Sequence, residues 1–555
     1  GTPTADCISY AAQRGLLRGV ENGNFDPEGL VTRAMAVTVL YRMSREEVSP
    51  AVTFSDVKAG DWFAPAVAWA AKTEVATGYE DGTFRGALTV TRAQLAALLF
   101  RLAAHEGEPV DLSVLDRYRD SHKIPAYAKE PMAWAVENHL FAGMAYDALY
   151  PDLPVTRAQL AQMLTALQAY DGDSMAQDFT DALHSTTVTL TAEAHDRIQS
   201  AVETAAKNYG AVGMQAAVIH NGRVIDSFAT GWATKKTDPM TVDHKLRIAS
   251  VTKVDIALAA MVLWDEGIID PEESIGTYWG ATMRNPYYKN TPVSIRSILS
   301  HTSSIRLFGD STSLRNSAVR STLTSSSGYM QAQPGSMSAY GYNNYAFGVL
   351  GMTLELAAGK NLNKVMAPVF TMLDMDVSYF SGDIQSPNLH TTLYYHDGSV
   401  GRSLSTARGN VHPASPGGNG AFFSGGFTTS AKDQARLVAL LANDGKLEGV
   451  PLISEEAVAF METSAGYVDG YYQCYPLRRQ DNIYGRDTLY YHTGSAFGVY
   501  NLLSYDPDTG DGVVVFTSGA SAAKDSRGIY AVCGTVSNTV YDLLKDGNSY
   551  APVND

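Results

Sequence analysis

Ser250 and Lys253, three residues apart, are a pair whose types and spacing could perform nucleophilic catalysis. The apolar run that follows predicts a helix beginning near Ser250, which places both side chains on one helix face. A serine hydroxyl is a poor nucleophile until a neighbouring base takes its proton, and a lysine whose pKa is lowered by burial can be that base. In isolation the pattern is weak, because an exposed helix start with a solvated lysine explains it better.

A second group, Tyr342 and Asn344, follows a Pro-Gly pair and precedes an apolar run. A tyrosine beside a lysine can relay a proton, and an asparagine side chain can hold both the lysine and a substrate amide. Tyr340 and Tyr345 compete with Tyr342 for this role. A cluster of aromatic core residues is the structural alternative.

The third group is the string His492, Thr493 and Gly494, which follows Leu-Tyr-Tyr and predicts a strand. Its glycine would let a substrate approach the backbone closely. This string is also weak by itself, so the specificity of the three groups comes from their order along the chain.

That order resembles the serine beta-lactamase and penicillin-binding-protein superfamily. Tyr342 follows Ser250 by 92 residues and His492 follows Tyr342 by 150. The resemblance covers about residues 195–546 and implies an antiparallel sheet flanked by helices, with a helical subdomain. At Ser304 the family usually has glycine, a departure that we expect to affect loop geometry more than chemistry. Supporting strings are Ile298-Leu299-Ser300-His301-Thr302-Ser303, Asp265-Glu266-Gly267, and Gly425-Gly426 before Thr428-Thr429-Ser430.

The resemblance also implies a role for the first two groups. Ser250 would be the acylated nucleophile and Lys253 its activating base. Tyr342 would carry the proton to the leaving group and assist deacylation. Asn344 would orient Lys253 and the substrate.

For the third group, the resemblance implies contact with the substrate. His492 and Thr493 would face its carboxylate or carbonyl group, and Gly494 would border it. The backbone N–H groups of Ser250 and Ser495 would form an oxyanion hole. Many beta-lactamases have lysine where this chain has His492, and the histidine resembles D,D-carboxypeptidases, D-aminopeptidases and related esterases.

The N-terminal third of the chain contains three internal repeats of the string Val-Thr-Arg-Ala. The copies begin at Val31, Val90 and Val155, at spacings of 59 and 65 residues. Each copy predicts two helices, the second capped by its threonine. One such unit cannot bury its apolar face alone, so three are expected to pack together as an all-helical bundle.

This pattern resembles the surface-layer homology (SLH) domain over about residues 1–170. The resemblance implies non-covalent attachment to cell-wall polysaccharide through Arg33, Arg92 and Arg157, since an arginine fork suits the anionic groups of such polymers. Salt bridges at the helix starts are the structural alternative. The glutamate that the family has after Thr-Arg-Ala is replaced here by Met35, Gln94 and Gln159.

The domain organisation predicted is an α+β chain in three parts. The repeats are expected at about 1–48, 49–110 and 111–170, a linker at the polar and acidic stretch 171–190, and the hydrolase domain at 191–550. Local patterns in the hydrolase domain predict a hairpin around 220–223, a buried strand at 513–516 and a closing helix at 529–544.

Composition excludes several classes of protein. The 555 residues are 45% hydrophobic and 18% charged, which is enough apolar material for a large core. A net charge of −16 argues against nucleic-acid binding. No transmembrane helix, metal or cofactor is expected. Cys474 and Cys533 could pair in an exported protein, or they could be buried free thiols.

Together the motifs predict a secreted serine hydrolase held at the cell wall of a Gram-positive-type bacterium. It would form an acyl-enzyme with a peptide, amide or small acyl substrate, as a D,D-carboxypeptidase or D-aminopeptidase does. The alternatives are an esterase, amidase or beta-lactamase on the same fold, and a non-enzymatic surface binding protein.

Overall fold

The computed structural model of the chain describes residues 2–20, 24–44, 54–103, 109–144 and 147–553. Two compact units are present. One consists of Gly1–Thr189 with the short segments Glu448–Val450 and Ala551–Asp555, and the other of Leu190–Leu447 and Pro451–Tyr550. Within the described ranges, no helix combines the length and the apolar character needed to cross a membrane.

The first unit is helical, and each of its repeats begins a helix directly after the threonine of the repeated string. Thr91 and Thr156 cap two of these helices. The side-chain oxygens of Gln94 and Gln159 accept from the backbone N–H groups of the two threonines, so both capping boxes are complete without the family's glutamate. The helices are α1 (Pro3–Gln13), α2 (Arg33–Ser44), α3 (Ala64–Lys72), α4 (Arg92–Leu102), α5 (Lys129–Glu137), α6 (Arg157–Tyr170) and α7 (Ser174–His184).

Backbone hydrogen bonds join the three repeats in a ring. The N–H of Val31 donates to Val155 O at 2.9 Å, that of Val90 to Val31 O at 2.9 Å, and that of Val155 to Val90 O at 3.0 Å. All three valines are fully buried. Each repeat therefore completes the hydrogen bonding of its neighbour, which explains why three copies pack together. Residues 21–23 of the first repeated turn, and the boundary at 45–53, lie outside the described residues.

The stretch 171–190, where the sequence predicted a linker, contains helix α7. Asp173 caps this helix by accepting from the N–H groups of Met175 and Ala176. The helix packs on α1 and α6, and Leu183 is buried beside Cys7. Its acidic and polar residues lie mostly on the exposed face, so the composition of a short surface helix resembled that of a linker.

The second unit is built on a nine-stranded antiparallel sheet. Its strands are β2 (Gly213–His220), β3 (Arg223–Thr234), β4 (Asp238–Pro239), β11 (Gly466–Val468), β12 (Tyr471–Gln473), β13 (Arg478–Ile483), β14 (Arg486–Ala496), β15 (Val499–Tyr505) and β16 (Gly512–Ser518), in the order β11-β12-β13-β14-β15-β16-β2-β3-β4. The shorter strands of the chain are β1 (Val188–Leu190), β5 (Leu246–Arg247), β6 (Leu393–Tyr394), β7 (Val400–Arg402), β8 (Thr428–Thr429), β9 (Lys446–Leu447), β10 (Val450–Pro451) and β17 (Tyr550–Pro552).

Helices pack on this sheet and form a helical region beside it. This is the α+β architecture expected from the sequence. They are α8 (Ala192–Asn208), α9 (Thr252–Asp265), α10 (Ile275–Trp279), α11 (Ile295–Leu299), α12 (Asn316–Leu323), α13 (Asn344–Ala358), α14 (Leu362–Met372), α15 (Leu404–Arg408), α16 (Ala431–Leu441), α17 (Glu455–Glu462) and α18 (Ala531–Leu544). Helices α8 and α18 pack on each other and on β3 and β16.

The three local predictions for this unit are confirmed. Strands β2 and β3 form the hairpin, and its turn has Asn221 and Gly222 at φ 50° and 69°, the left-handed conformations that an Asn-Gly turn supplies. Strand β16 contains the predicted buried strand, and α18 is the predicted closing helix, which begins at Ala531, two residues later than predicted.

Helix α9 lies at the centre of the main hydrophobic core. Every residue from Thr252 to Leu263 is buried, and its apolar side chains pack with those of α13, α16 and the sheet. A helix held on all sides has little freedom to shift, so the residues at its N-terminal end have fixed positions.

Candidate active site

Ser250 lies in a short 3-10 turn, Ala249–Val251, that leads into α9. Ala249 has φ +53°, a left-handed conformation that residues other than glycine rarely adopt. Strain of this kind persists where the surrounding structure enforces it, often at functional sites. The turn leaves Ser250 half-buried at the wall of a cavity, so its hydroxyl is accessible to a small molecule.

Lys253 follows one helical turn later, and its side-chain nitrogen is surrounded by oxygen atoms. Nζ lies 3.2 Å from Ser250 Oγ and donates to Asn344 Oδ1 at 2.9 Å and to Ser424 O at 2.8 Å. Burial is the main cause that lowers the pKa of Lys253 from 10.5. A neutral amine can keep the bonds to Asn344 and Ser424 while its lone pair faces the serine hydroxyl, as a general base requires.

Tyr342 is the tyrosine that the structure brings to Lys253. Nζ of Lys253 lies 4.8 Å from the centre of the Tyr342 ring, and the ring packs on His301 with centroids 4.4 Å apart. Burial alone would raise the pKa of Tyr342, but Lys253, the Ser250 hydroxyl and Arg478 together lower it from 10.0. A phenol of lowered pKa exchanges its proton more readily, which suits a proton relay.

The two competing tyrosines have other contacts. The hydroxyl of Tyr340 lies 3.0 Å from that of Tyr471. The ring of Tyr345 is buried and packs against Phe308 with centroids 4.7 Å apart. They belong to the aromatic packing around the site, the structural alternative given above.

Strand β14 passes so close to the serine turn that only glycine fits at position 494. A Cβ on Gly494 would lie 2.3 Å from Ile248 O and 3.3 Å from Ser250 N. Thr493 is half-buried and Ser495 is exposed on either side of it. Ser250 and Ser495, whose N–H groups are the expected oxyanion donors, line the same cavity.

His492 is buried, with 1% of its surface exposed. Its Nδ1 lies 2.8 Å from Thr493 O and must therefore carry the proton. Burial, Arg478 and Lys253 lower the pKa of His492 well below 6.5, so the ring is neutral. Its Nε2 is buried and has no hydrogen-bond partner among the described residues, which leaves an acceptor free inside the site. Direct contact of His492 with a substrate stays a prediction.

Sequence reasoning missed Arg478, at the start of strand β13. Its guanidinium lies 4.5 Å from the centre of the Tyr471 ring and 5.8 Å from that of Tyr342. It also donates to Thr493 Oγ1 at 3.5 Å. No local sequence pattern marks Arg478, because it reaches the site through the pairing of β13 with β14.

The cavity beside Ser250 has a volume of about 560 Å³. The loop at 417–426, which the sequence predicted to border a cleft, contributes Ala421, Phe422, Ser424 and Gly425 to its wall. A cavity of this size fits a short peptide segment or a small acyl group. No cluster of three metal-ligating side chains is present in the part of the chain that the structure describes.

Ser304 and His301 occupy a loop that supports Tyr342. Ser304 has φ +59°, which accounts for the glycine that the family usually has there. Nδ1 of His301 accepts from the Asn343 N–H at 3.1 Å, so this histidine holds the backbone next to Tyr342.

The arginines of the three repeats donate to backbone carbonyl groups of a neighbouring repeat. Arg33 Nε donates to Phe84 O at 3.0 Å, Arg92 to Leu149 O at 3.2 Å and Arg157 Nε to Phe25 O at 2.8 Å. Arg92 has no exposed surface. The geometry gives these side chains a structural role, and contact of Arg33, Arg92 and Arg157 with wall polysaccharide stays a prediction.

The three cysteines are free and buried. Burial raises the pKa of Cys7 to about 11 and that of Cys474 to about 12, and it raises that of Cys533 further. Of the two expectations for Cys474 and Cys533, the structure therefore agrees with buried free thiols. These thiols ionise poorly.

Comparison with known proteins gives two family matches. A model described as beta-lactamase matches residues 198–532. A model described as S-layer homology domain matches residues 3–36, 53–96 and 117–161.

Curated relatives share only part of their length with this chain. The surface-layer 125 kDa protein of Lysinibacillus sphaericus is 29% identical over 159 residues, which are 28% of this chain and 13% of that protein. The S-layer protein of Bacillus thuringiensis subsp. finitimus is 26% identical over 176 residues, 31% of this chain and 21% of its own length.

Solved structures support the fold of the second unit. The octameric penicillin-binding protein homologue from Pyrococcus abyssi has a TM-score of 0.50 and 20% identity, covering 61% of this chain and 75% of that one. The beta-lactamase/D-alanine carboxypeptidase from Pseudomonas syringae has a TM-score of 0.50 and 15% identity, and the match covers 64% of this chain and 99% of that one. The chain belongs to the beta-lactamase family of serine hydrolases and carries three S-layer homology domains, which mark it as a secreted protein of the cell surface.

Proposed function

We propose that the second unit is a serine peptidase of the D,D-carboxypeptidase type, which removes the last residue from peptides that end in a D-amino acid. The observation that carries this proposal is Arg478. Within the described residues, no carboxylate forms an ion pair with Arg478, the titratable groups that act on it are tyrosines, and its Nε is buried without a hydrogen-bond partner. A cation held in place without a carboxylate partner can bind the anionic group of a ligand without first breaking an ion pair.

The position of Arg478 suits the terminal carboxylate of a peptide. It lies beside Thr493 Oγ1 and near the ring of Tyr342, the residue proposed to protonate the leaving group. The leaving group of a carboxypeptidase substrate is an amino acid whose carboxylate is two bonds from the departing nitrogen. The proton donor and the carboxylate site would therefore need to be neighbours, as Tyr342 and Arg478 are.

Acylation would begin when Ser250 Oγ attacks the carbonyl carbon of the scissile bond and its proton passes to Lys253. The N–H groups of Ser250 and Ser495 would stabilise the oxyanion, a feature typically worth about 3–4 kcal/mol per donor. The C–N bond would then break as the leaving nitrogen receives a proton through Tyr342. The result is an ester between Ser250 and the acyl group, with the free amino acid released.

Deacylation would reverse the proton path. A water molecule would lose its proton to the same Lys253 and Tyr342 pair, and its oxygen would attack the ester carbonyl. Ser250 Oγ would leave and recover the proton. Asn344 would keep Lys253 in place in both steps through the 2.9 Å hydrogen bond to its Oδ1.

The test compares an N-acylated peptide ending in D-Ala-D-Ala with its C-terminal amide. The wild-type protein should prefer the free carboxylate, and Arg478→Gln should reduce that preference by about tenfold or more, the scale of one lost charge-assisted bond. Arg479→Gln is the matched control, because Arg479 lies over Tyr472 and beside Asp481 instead. Hydrolysis of small esters but of neither peptide would favour the esterase alternative and reject the proposal.

The first unit is proposed to hold the enzyme on cell-wall polysaccharide. Its three S-layer homology domains, and the surface-layer proteins that share such sequence with it, support this attachment. A substrate in the wall, such as a peptide stem ending in D-alanine, would then be available at high local concentration.

A further inference from the structure

Two arginines that the catalytic account does not use line the cavity beside Ser250. Arg247 comes from β5, three residues before Ser250, and Arg402 from β7. The guanidinium of Arg247 lies 5.6 Å from the centre of the Phe422 ring and 5.0 Å from that of Phe497. That of Arg402 lies 6.0 Å from each of the same rings. Two cations thus share one pair of aromatic faces.

Neither arginine has a counter-ion among the described residues. No ion pair joins Arg247 or Arg402 to a carboxylate there, and no acidic side chain acts on the pKa of either, although Asp310 lines the same cavity. Burial lowers the pKa of Arg247 to about 9, with Arg402 as the second cause, and burial also lowers that of Arg402. No acidic side chain in the described part of the chain raises the pKa of either arginine against these effects. Nε of Arg402 is buried without a hydrogen-bond partner.

The wall against which the arginines lie is itself strained. Phe497 has φ +55° in the turn between β14 and β15, an unusual conformation for a bulky residue. A Cβ on Gly401 would lie 2.6 Å from Phe497 O, so the turn is tightly packed on β7. The Phe497 ring is therefore held in place beside the two cations at the cavity.

We propose that Arg247 and Arg402 form a subsite for a carboxylate on the acyl part of the substrate. Like charges held together in a partly dry cavity are stabilised when an anion bridges them, and guanidinium groups suit a carboxylate geometrically. The assignment to the acyl part rests on the proposed function, in which Tyr342 and Arg478 receive the leaving group. Arg478 and Tyr342 do not line this cavity, whereas the arginine pair and Ser250 do.

The test uses two alkyl fluorophosphonates that differ only at the chain end, methyl in one and carboxylate in the other. Both would form a bond between Ser250 Oγ and phosphorus and release fluoride, so the rate of labelling reports binding of the chain without needing turnover. Wild-type protein should be labelled about tenfold faster by the carboxylate probe, as expected for one charge-assisted contact. Arg402→Gln should bring the ratio close to one. The exposed Arg284 supplies the control, since Arg284→Gln should keep the wild-type ratio.

Equal labelling of wild-type protein by both probes, or a preference that survives in Arg402→Gln, would overturn the subsite. Labelling of Ser250 by neither probe would contradict the subsite together with the nucleophile. Peptides ending in D-Ala-D-Ala, with glutamate or glutamine before the first D-alanine, form a second arm. If neither peptide is cleaved while the probe ratio behaves as predicted, the carboxypeptidase proposal fails and the anion subsite stands.

Discussion

Lys253 donates to Asn344 Oδ1 and Ser424 O, and these two acceptors determine how it can act on Ser250. An ammonium group would direct all three hydrogens at oxygen atoms and could accept nothing. The neutral amine directs a lone pair at Ser250 Oγ, 3.2 Å away. The proposed acylation therefore requires the deprotonated form of Lys253, which burial makes accessible by lowering its pKa.

The pH dependence of acylation should follow from this pair. The rate should rise with pH as Lys253 loses its proton, below 10.5, and fall as Tyr342 ionises, below 10.0, because both pKa values are lowered. In Tyr342→Phe the alkaline limb should disappear and turnover should slow. Tyr340→Phe, whose hydroxyl contacts Tyr471 instead, should keep the wild-type profile.

Rate measurements across pH on wild-type protein and the two variants check this. An alkaline limb that survives in Tyr342→Phe, or one lost only in Tyr340→Phe, would show that Tyr342 is not the proton carrier.

Part of the site was predictable from the sequence, and part was not. Ser250, Lys253, Tyr342 and Asn344 lie in short strings whose spacing matches a known order, and the structure brings them together. Arg478 could not be predicted in this way, because its place beside Thr493 depends on the pairing of β13 with β14, which no local pattern specifies. The buried, neutral state of His492 likewise depends on its surroundings.

At the scale of elements, α9 contains a buried acid that links the site to α16. Asp255 is fully buried, and its Oδ1 accepts from Gln434 Nε2 at 2.9 Å. Asp255 Oδ2 and Gln434 Oε1 have no partner among the described residues. Burial raises the pKa of Asp255 to about 8, so the folded protein keeps this acid neutral. A protonated Oδ2 would be the donor that Gln434 Oε1 lacks.

Stability should depend on pH through this residue. In the unfolded chain Asp255 ionises near pH 3.8, whereas in the folded chain it ionises near 8. Between these values the folded state binds the extra proton, so this residue makes the folded state progressively less stable as pH rises from about 4 to 8.

Asp255→Asn removes that titration and keeps the shape. The melting temperature of Asp255→Asn relative to that of wild type should therefore increase by several degrees between pH 5 and pH 8, at about 1–2 °C per kcal/mol for a unit of this size. Asp265→Asn, at the far end of the same helix, is the control. A wild-type to Asp255→Asn difference that is constant with pH would contradict the shifted pKa.

Elements with strong local signals were predicted correctly, whereas helix α7, which has no such signal, was not. The Asn-Gly turn between β2 and β3 and the threonine caps of α4 and α6 are local features. Helix α7 has a polar exposed face, and its burial of Leu183 depends on contacts with α1 and α6. The roles of the repeat arginines were also hidden, because their acceptors lie in neighbouring repeats.

For the whole molecule, the repeats and the hydrolase have separate cores. Removal of residues 1–189 should therefore abolish binding to purified wall sacculi while hydrolysis of a soluble substrate continues. Full-length Ser250→Ala is the matched control, since it should bind sacculi but lose about 10³-fold or more of its hydrolytic rate. Co-sedimentation of each protein with sacculi measures the first property, and equal binding by the shortened protein would reject the anchoring proposal.

The catalytic proposals all depend on one atom, Ser250 Oγ. The most direct measurement is mass spectrometry of the protein after reaction with a fluorophosphonate, together with the activity of Ser250→Ala. We predict a single adduct on the peptide that contains Ser250. In Ser250→Ala we predict no adduct and a loss of about 10³-fold or more in kcat, since only binding and the oxyanion donors remain. An adduct on Ser300, Ser303 or Ser495, or full activity in Ser250→Ala, would contradict the account.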